Sequence, residues 1–171
     1  MLSPSRRLVA TALIVGLLSS IDGCLQGEPD DAVPPALSQT DGTGTVVSIT
    51  DGDTLRLEVD GIELRVRLLG IDTPEINPEV ECFGPEAEAA LAALAPPGST
   101  LGFTYDRDRR DQYDRELLYL FASDGTSINL ELVRQGFARA VVFEPNDALW
   151  NELRAAERAA RDARLGLWGS C

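Results

Sequence analysis

The chain of 171 residues carries 28 acidic side chains against 15 basic ones, a formal net charge of −13, and no histidine. Every basic residue is arginine, so imidazole chemistry is excluded, and any general base must be a carboxylate, a tyrosine or a metal-bound water. The acidity also argues against broad basic-surface binding of nucleic acid, while the length suits a single domain with a real core.

Arg6 and Arg7 precede an apolar run from Leu8 to Leu18. That run is shorter than the stretch of about 20 residues a spanning helix needs, so residues 1–23 read as an export signal. The following Ser19-Ser20-Ile21-Asp22-Gly23-Cys24 resembles a bacterial lipoprotein cleavage box, with Cys24 as the lipidated first residue. An ordinary signal peptide with an incidental cysteine is the alternative, and lipidation is the favoured reading. A membrane-anchored protein of the cell envelope, periplasmic or extracellular, is therefore expected. Residues 24–43 are rich in Pro, Gly, Asp, Gln and Ser without periodicity, and read as a flexible tether before a folded domain at 44–171. With Cys24 lipidated, only Cys82 and Cys171 remain, and export makes a disulfide between them possible.

From Gly44 the pattern is that of strands. Thr45 to Ile49 is β-rich, and Leu55, Leu57 and Val59 alternate with Arg56 and Glu58. Asp60-Gly61 is a two-residue hairpin signal, and Ile62, Leu64, Val66 and Leu68 alternate after it. This register sets Val59 opposite Ile62 and Leu55 opposite Val66, and carries Asp53 to the level of Leu68. Strict alternation then puts Asp53 and Arg67 on opposite faces, unless a bulge or strong twist brings them together.

Phe83-Gly84-Pro85-Glu86 predicts a helix start, which Pro96-Pro97-Gly98 ends. Thr100–Tyr105 and Leu117–Phe121 predict strands on either side of a dense polar loop, Asp106–Arg115. A short helix is expected from Ile128 to Gln135 with Gly136 as its cap, then a strand from Phe137 to Phe143. The last helix is expected to start at a cap on Asn146 or Asp147, with Leu149, Leu153, Ala156 and Ala160 on one face. The expected fold is α+β, a small five-stranded barrel packed by about three helices.

Chemistry concentrates in Val66-Arg67-Leu68-Leu69-Gly70-Ile71-Asp72-Thr73-Pro74-Glu75. Arg67 offers a planar fork of donors matched to a phosphate or carboxylate. Asp72 and Glu75 offer oxygen ligands or a base, and Pro74 holds Thr73 extended. Metal-assisted chemistry on a phosphate and a solvated acidic turn are both compatible with this stretch alone.

Six landmarks in order resemble the thermonuclease, or staphylococcal-nuclease-like, family. They are Asp51-Gly52-Asp53-Thr54, Arg67 to Glu75, Gly84-Pro85-Glu86-Ala87, Asp111-Gln112-Tyr113-Asp114-Arg115, Leu132-Val133-Arg134-Gln135-Gly136 and Gly166-Leu167-Trp168. The resemblance implies an oligonucleotide-binding-type barrel and a calcium-dependent nuclease, expected to act as a monomer on phosphodiesters of DNA or RNA. It implies Ca2+ held by Asp53, Asp72 and the backbone carbonyl of Thr73, with Arg67, Glu75 and Arg115 in catalytic positions and Tyr113 as a substrate contact. A catalytically weakened nucleic-acid-binding barrel is the alternative, and a calcium-stabilised envelope protein is a more distant one. Asp114 stands where the family usually has glycine, and is expected either to compete for Arg115 or to strain the turn. Val141 stands where an aromatic residue lines the nucleotide pocket of other members.

Overall fold

The computed structural model describes residues 39–171. The expected export signal, Cys24 and all of the tether up to residue 38 lie outside the described residues.

Five strands close into a barrel in the order β1-β2-β3-β6-β5. β1 (Gly42–Ile49) starts two residues before the Gly44 expected. It pairs antiparallel with β2 (Thr54–Val59), with a register shift between Val46 and Ser48. The β2–β3 hairpin turns at Asp60 and Gly61, whose φ of 51° and 77° are the left-handed values such a tight turn needs. β3 (Ile62–Leu68) takes the expected register, with Val59 opposite Ile62, Leu55 opposite Val66 and Thr54 opposite Arg67. The alternation works as the sequence implies: Leu55, Leu57, Val66 and Leu68 are fully buried inside the barrel. Arg56, Arg65 and Arg67 take the other face.

After β3 the chain passes Gly70 into a two-residue strand, β4 (Ile71–Asp72). α1 (Gly84–Leu94) follows, with Pro85 in its first turn and Ala87 and Leu91 buried. β5 (Thr100–Thr104) pairs with β1, and β6 (Glu116–Phe121) closes the barrel by pairing with β5 and, in parallel, with β3. α2 (Ile128–Arg134) is capped by Ser127, whose Oγ accepts the Leu130 amide at 3.3 Å. Asn129 is fully buried on this helix. Its Nδ2 donates to the Leu69 and Leu118 carbonyls, and its Oδ1 accepts the Leu120 amide. One side chain thus ties the end of β3 to β6 and fixes where the chain leaves toward Asp72.

The expected strand from Phe137 to Phe143 is only β7 (Arg139–Ala140), which pairs with β4 by setting Asp72 opposite Arg139. Two-residue pairing is all that β4 offers, so the rest of the apolar run stays irregular. The last long helix, α3 (Trp150–Asp162), begins after the cap expected from sequence. Asn146 is used elsewhere: its side chain accepts the Asp108 amide at 2.8 Å and donates to the Asp108 carbonyl at 3.0 Å, pinning the polar loop. Leu153 and Ala160 are the buried positions of α3, with Leu149 and Ala156 packed against the core. A single turn, α4 (Leu167–Ser170), ends the chain, and a disulfide joins Cys82 to Cys171 with a Cα separation of 6.0 Å.

Candidate active site

Three segments meet at one end of the barrel: the turn 51–53, the stretch from Arg67 to Glu75, and the loop 106–115. The turn can lie this close because residue 52 is glycine. A β-carbon there would sit 2.7 Å from Thr73 Oγ1 and 2.9 Å from Ala87. The Asp53 carbonyl accepts the Leu68 amide at 2.8 Å, so the expected level of Asp53 beside Leu68 holds.

β2 begins only at Thr54, so Asp53 is not bound by strand alternation and its side chain reaches the Arg67 side. Asp53 is 5% exposed. Its Oδ2 accepts both the amide and the hydroxyl of Thr73 at 3.0 Å, and its Oδ1 accepts the Thr54 hydroxyl at 3.2 Å. The same carboxylate is ion-paired with Arg67. Arg67 reaches Asp72 as well, with Nη2 at 3.1 Å from Oδ1. Two carboxylates from separate segments therefore converge on one largely buried guanidinium. Burial pushes the Arg67 pKa down, and Asp72 and Asp51 push against that shift.

Glu75 is exposed on a loop closed by Glu81, which binds the Glu75 amide through its side chain and the Glu75 carbonyl through its amide. The Glu75 carboxyl is raised, first by desolvation and next by the charge of Asp51, against the pull of Arg67. Asp51 was given no role in the sequence reading, where it served only as the first residue of the landmark Asp51-Gly52-Asp53-Thr54. Burial raises its carboxyl too, opposed by Thr54, Arg67 and Arg115. Its Oδ1 accepts the Asp53 amide at 3.0 Å, so it shapes the turn while adding charge to the site. Its signal was the first acid of Asp51-Gly52-Asp53.

Arg115 is held by Asp111, not by Asp114. Its Nε lies 2.7 Å from Asp111 Oδ2, and its amide donates to Oδ1 at 3.0 Å. Burial alone would raise the Asp111 carboxyl, but the bonds from Arg115 and the Tyr113 amide outweigh it and hold the pKa below its ordinary value. Asp114 pairs instead with Arg110 at 2.9 Å, its side chain 81% exposed. The expected competition for Arg115 is absent because Asp114 points outward from the turn. Its φ of 58° is the left-handed conformation in which glycine is at ease, so the strain expectation stands.

Tyr113 is exposed, and the Arg115 guanidinium lies 5.5 Å from its ring centre. Arg67, Arg115, Tyr113, Leu117 and Phe143 line one cleft of about 210 Å³. Phe143 was read as the end of a strand, yet it is half-exposed and faces this cleft. Its signal was an aromatic ring placed directly before Glu144-Pro145. Val141 does not line the cleft; its amide bonds the Gly70 carbonyl at 3.0 Å.

The donor set suits a hard cation. Asp53, Asp72 and the Thr73 carbonyl offer only oxygen, the donor type a hard cation takes, and among the described residues no three acidic, His or Cys side chains group as they would around an ion. Asp51, Asp53, Asp72, Glu75 and Asp111 stand around Arg67 and Arg115, five carboxylates against two guanidiniums. That surplus favours a cation.

Residues 65–170 match the family model described as Staphylococcal nuclease homologue. The chain is 32% identical over 167 residues to a Thermonuclease of Staphylococcus intermedius, covering 94% of each. It is 28% identical over 131 residues to a Thermonuclease of Staphylococcus hyicus, covering 75% of this chain and 76% of that protein. It is 36% identical over 123 residues to Endonuclease YncB of Bacillus subtilis, where the match spans 69% of this chain but only 57% of that protein.

Proposed function

This chain belongs to the family of staphylococcal nuclease homologues, and we propose that it is a calcium-dependent endonuclease acting on phosphodiesters of DNA or RNA. The observation that carries this reading is Arg67, held between Asp53 and Asp72 and sharing an open cleft with Arg115. Arg67 and Arg115 bind the non-bridging oxygens of the phosphate and offset the charge that builds as the attacking oxygen adds. Glu75 orients the attacking water and takes its proton, aided by a carboxyl raised from its ordinary value. Asp53, Asp72 and the Thr73 carbonyl would hold Ca2+, which when bound supplies Lewis-acid polarisation of the phosphate. Tyr113 and Phe143 offer ring faces to a base or sugar at the cleft.

The test is digestion of single- and double-stranded DNA and RNA with calcium, with other divalent cations and with chelator. Equal activity with and without chelator would sink the metal assignment, and no cleavage of any substrate would sink the nuclease reading. We also propose that the protein is a lipid-anchored envelope protein, on the basis of Arg6, Arg7, the run Leu8–Leu18 and Cys24. The Cys82–Cys171 bond supports an oxidising compartment. Mass spectrometry of the mature N-terminus checks this, and an unmodified start elsewhere than Cys24 would refute the anchor.

A further inference from the structure

A second cleft, of about 220 Å³, opens on the outer face of the β2–β3 hairpin and is lined by Thr50, Thr54, Leu55, Arg56 and Arg65. The register orders this face. Thr54 is opposite Arg67 at the active-site end, Arg56 is opposite Arg65 in the middle, and Glu58 is opposite Glu63 toward the turn. The cleft joins the catalytic residues through Thr54, whose hydroxyl bonds the Asp53 carboxylate that pairs with Arg67.

Directly opposed like charges destabilise a strand pair, so Arg56 against Arg65 has a cost. Glu63 offsets part of it by binding Arg56 at 2.6 Å. Arg65 makes no ion pair among the described residues, in a chain where most arginines at this end are tied to acids. It is exposed, lines the cleft with Thr50 and Thr54, and lies two residues along β3 from Arg67. Side chains two residues apart on a strand face the same way about 6.6 Å apart. That is of the order of the step between successive phosphates on an extended single strand, which basic grooves follow.

We propose that the cleft at Arg65 is a second phosphate subsite, taking the backbone phosphate next to the scissile one on a single-stranded substrate. The proposal rests on the nuclease reading above. Arg65 supplies the free charge, Thr50 supplies a hydroxyl donor, Thr54 keeps its hydroxyl proton on Asp53 and forms the wall toward the active site, and Arg56 is held in reserve by Glu63.

The test compares a dinucleotide, whose single phosphodiester is the scissile one, with a single-stranded decanucleotide. Arg65→Gln should raise KM for the decanucleotide by up to roughly fivefold, the worth of one exposed charge contact, with kcat unchanged. The dinucleotide KM should not move. The salt slope of decanucleotide binding should flatten by about 0.7, as one phosphate contact is lost. Glu63→Gln frees Arg56 and should lower the decanucleotide KM. If Arg65→Gln leaves both substrates unchanged, or raises both KM values equally, the subsite is refuted. If the parent protein cleaves neither substrate, the nuclease reading fails on its own. Decanucleotide binding by fluorescence anisotropy then decides the subsite, and equal Kd values for the parent and Arg65→Gln would overturn it.

Discussion

Asp111→Asn isolates how Arg115 is positioned. Asp111 accepts the Tyr113 and Arg115 amides on Oδ1 and the Arg115 guanidinium on Oδ2. Asparagine keeps the size, and its Oδ1 can still accept both amides, so the turn should survive. Its amide nitrogen then faces Nε of Arg115, donor against donor. A hydrogen bond to a charged group is worth roughly 1.5–3 kcal/mol, and partial exposure of both side chains reduces that to about 1–2 kcal/mol. If this free energy holds Arg115 at the phosphate, kcat falls roughly 5- to 30-fold. Arg115→Ala should cost more, about 10²–10³-fold, because it removes the donor itself. In the Arg115→Ala background, Asp111→Asn should then have almost no further effect on rate. Steady-state kinetics on the four proteins makes the cycle. If Asp111→Asn slows the Arg115→Ala enzyme by the same factor as the parent, Asp111 does not act through Arg115. The pH dependence supplies a second reading. The folded pKa of Asp111 is depressed, so its stabilisation is present above the ordinary value of 3.8 and is lost as pH falls through the lower folded value. Denaturant unfolding from roughly pH 5 to pH 2 should show that loss in the parent and a smaller one in Asp111→Asn.

Glu75→Gln keeps size but removes the proposed base, so kcat should fall about 10²–10⁴-fold with calcium binding retained, and full kcat would show that Glu75 is not the base. Asp114→Gly relieves a left-handed φ of 58° and should stabilise by up to about 1 kcal/mol without slowing cleavage, read as a shift in urea midpoint. Reducing Cys82–Cys171 opens a loop spanning 89 residues of sequence, and should cost about 4–5 kcal/mol on the chain-entropy account. An unchanged melting temperature in reductant would show that the bond contributes little.

The barrel was legible because its signals are local. Alternation fixes which face of β2 and β3 is buried, and Asp60-Gly61 fixes their register, so each residue pair follows from counting. The site was legible as a set of residue types but not as an arrangement. Asp53 reaches Arg67 because the strand stops one residue short of it, and alternation carries no information beyond a strand's end. Phe143 looked like strand because an apolar run is all that sequence shows. Its exposure depends on β4 being only two residues long, at a distant point in the chain. Asn146 looked like a helix cap for the same reason: its true partner, Asp108, lies 38 residues earlier. Asp114 and Asp111 are chemically alike and both near Arg115, and only the turn's backbone decides which one binds it.

These arrangements reconcile an acidic protein with an anionic substrate. A net charge of −13 repels a phosphate chain at long range, and that repulsion acts through solvent. Salt screens it over a Debye length of about 10 Å at 0.1 M. The attractive contacts act at hydrogen-bond distance, on arginines already aimed by Asp53, Asp72 and Asp111, and Arg67 is largely shielded from solvent. Moderate salt should therefore weaken the repulsion before it weakens the attraction. Association with single-stranded substrate should speed up as salt is first added and slow down only when close phosphate contacts are screened, giving a maximum. A protein that binds through a broad basic surface shows only the decline. A rate that falls monotonically from the lowest salt would mean that the local arginines, not the net charge, set the field the substrate meets on approach.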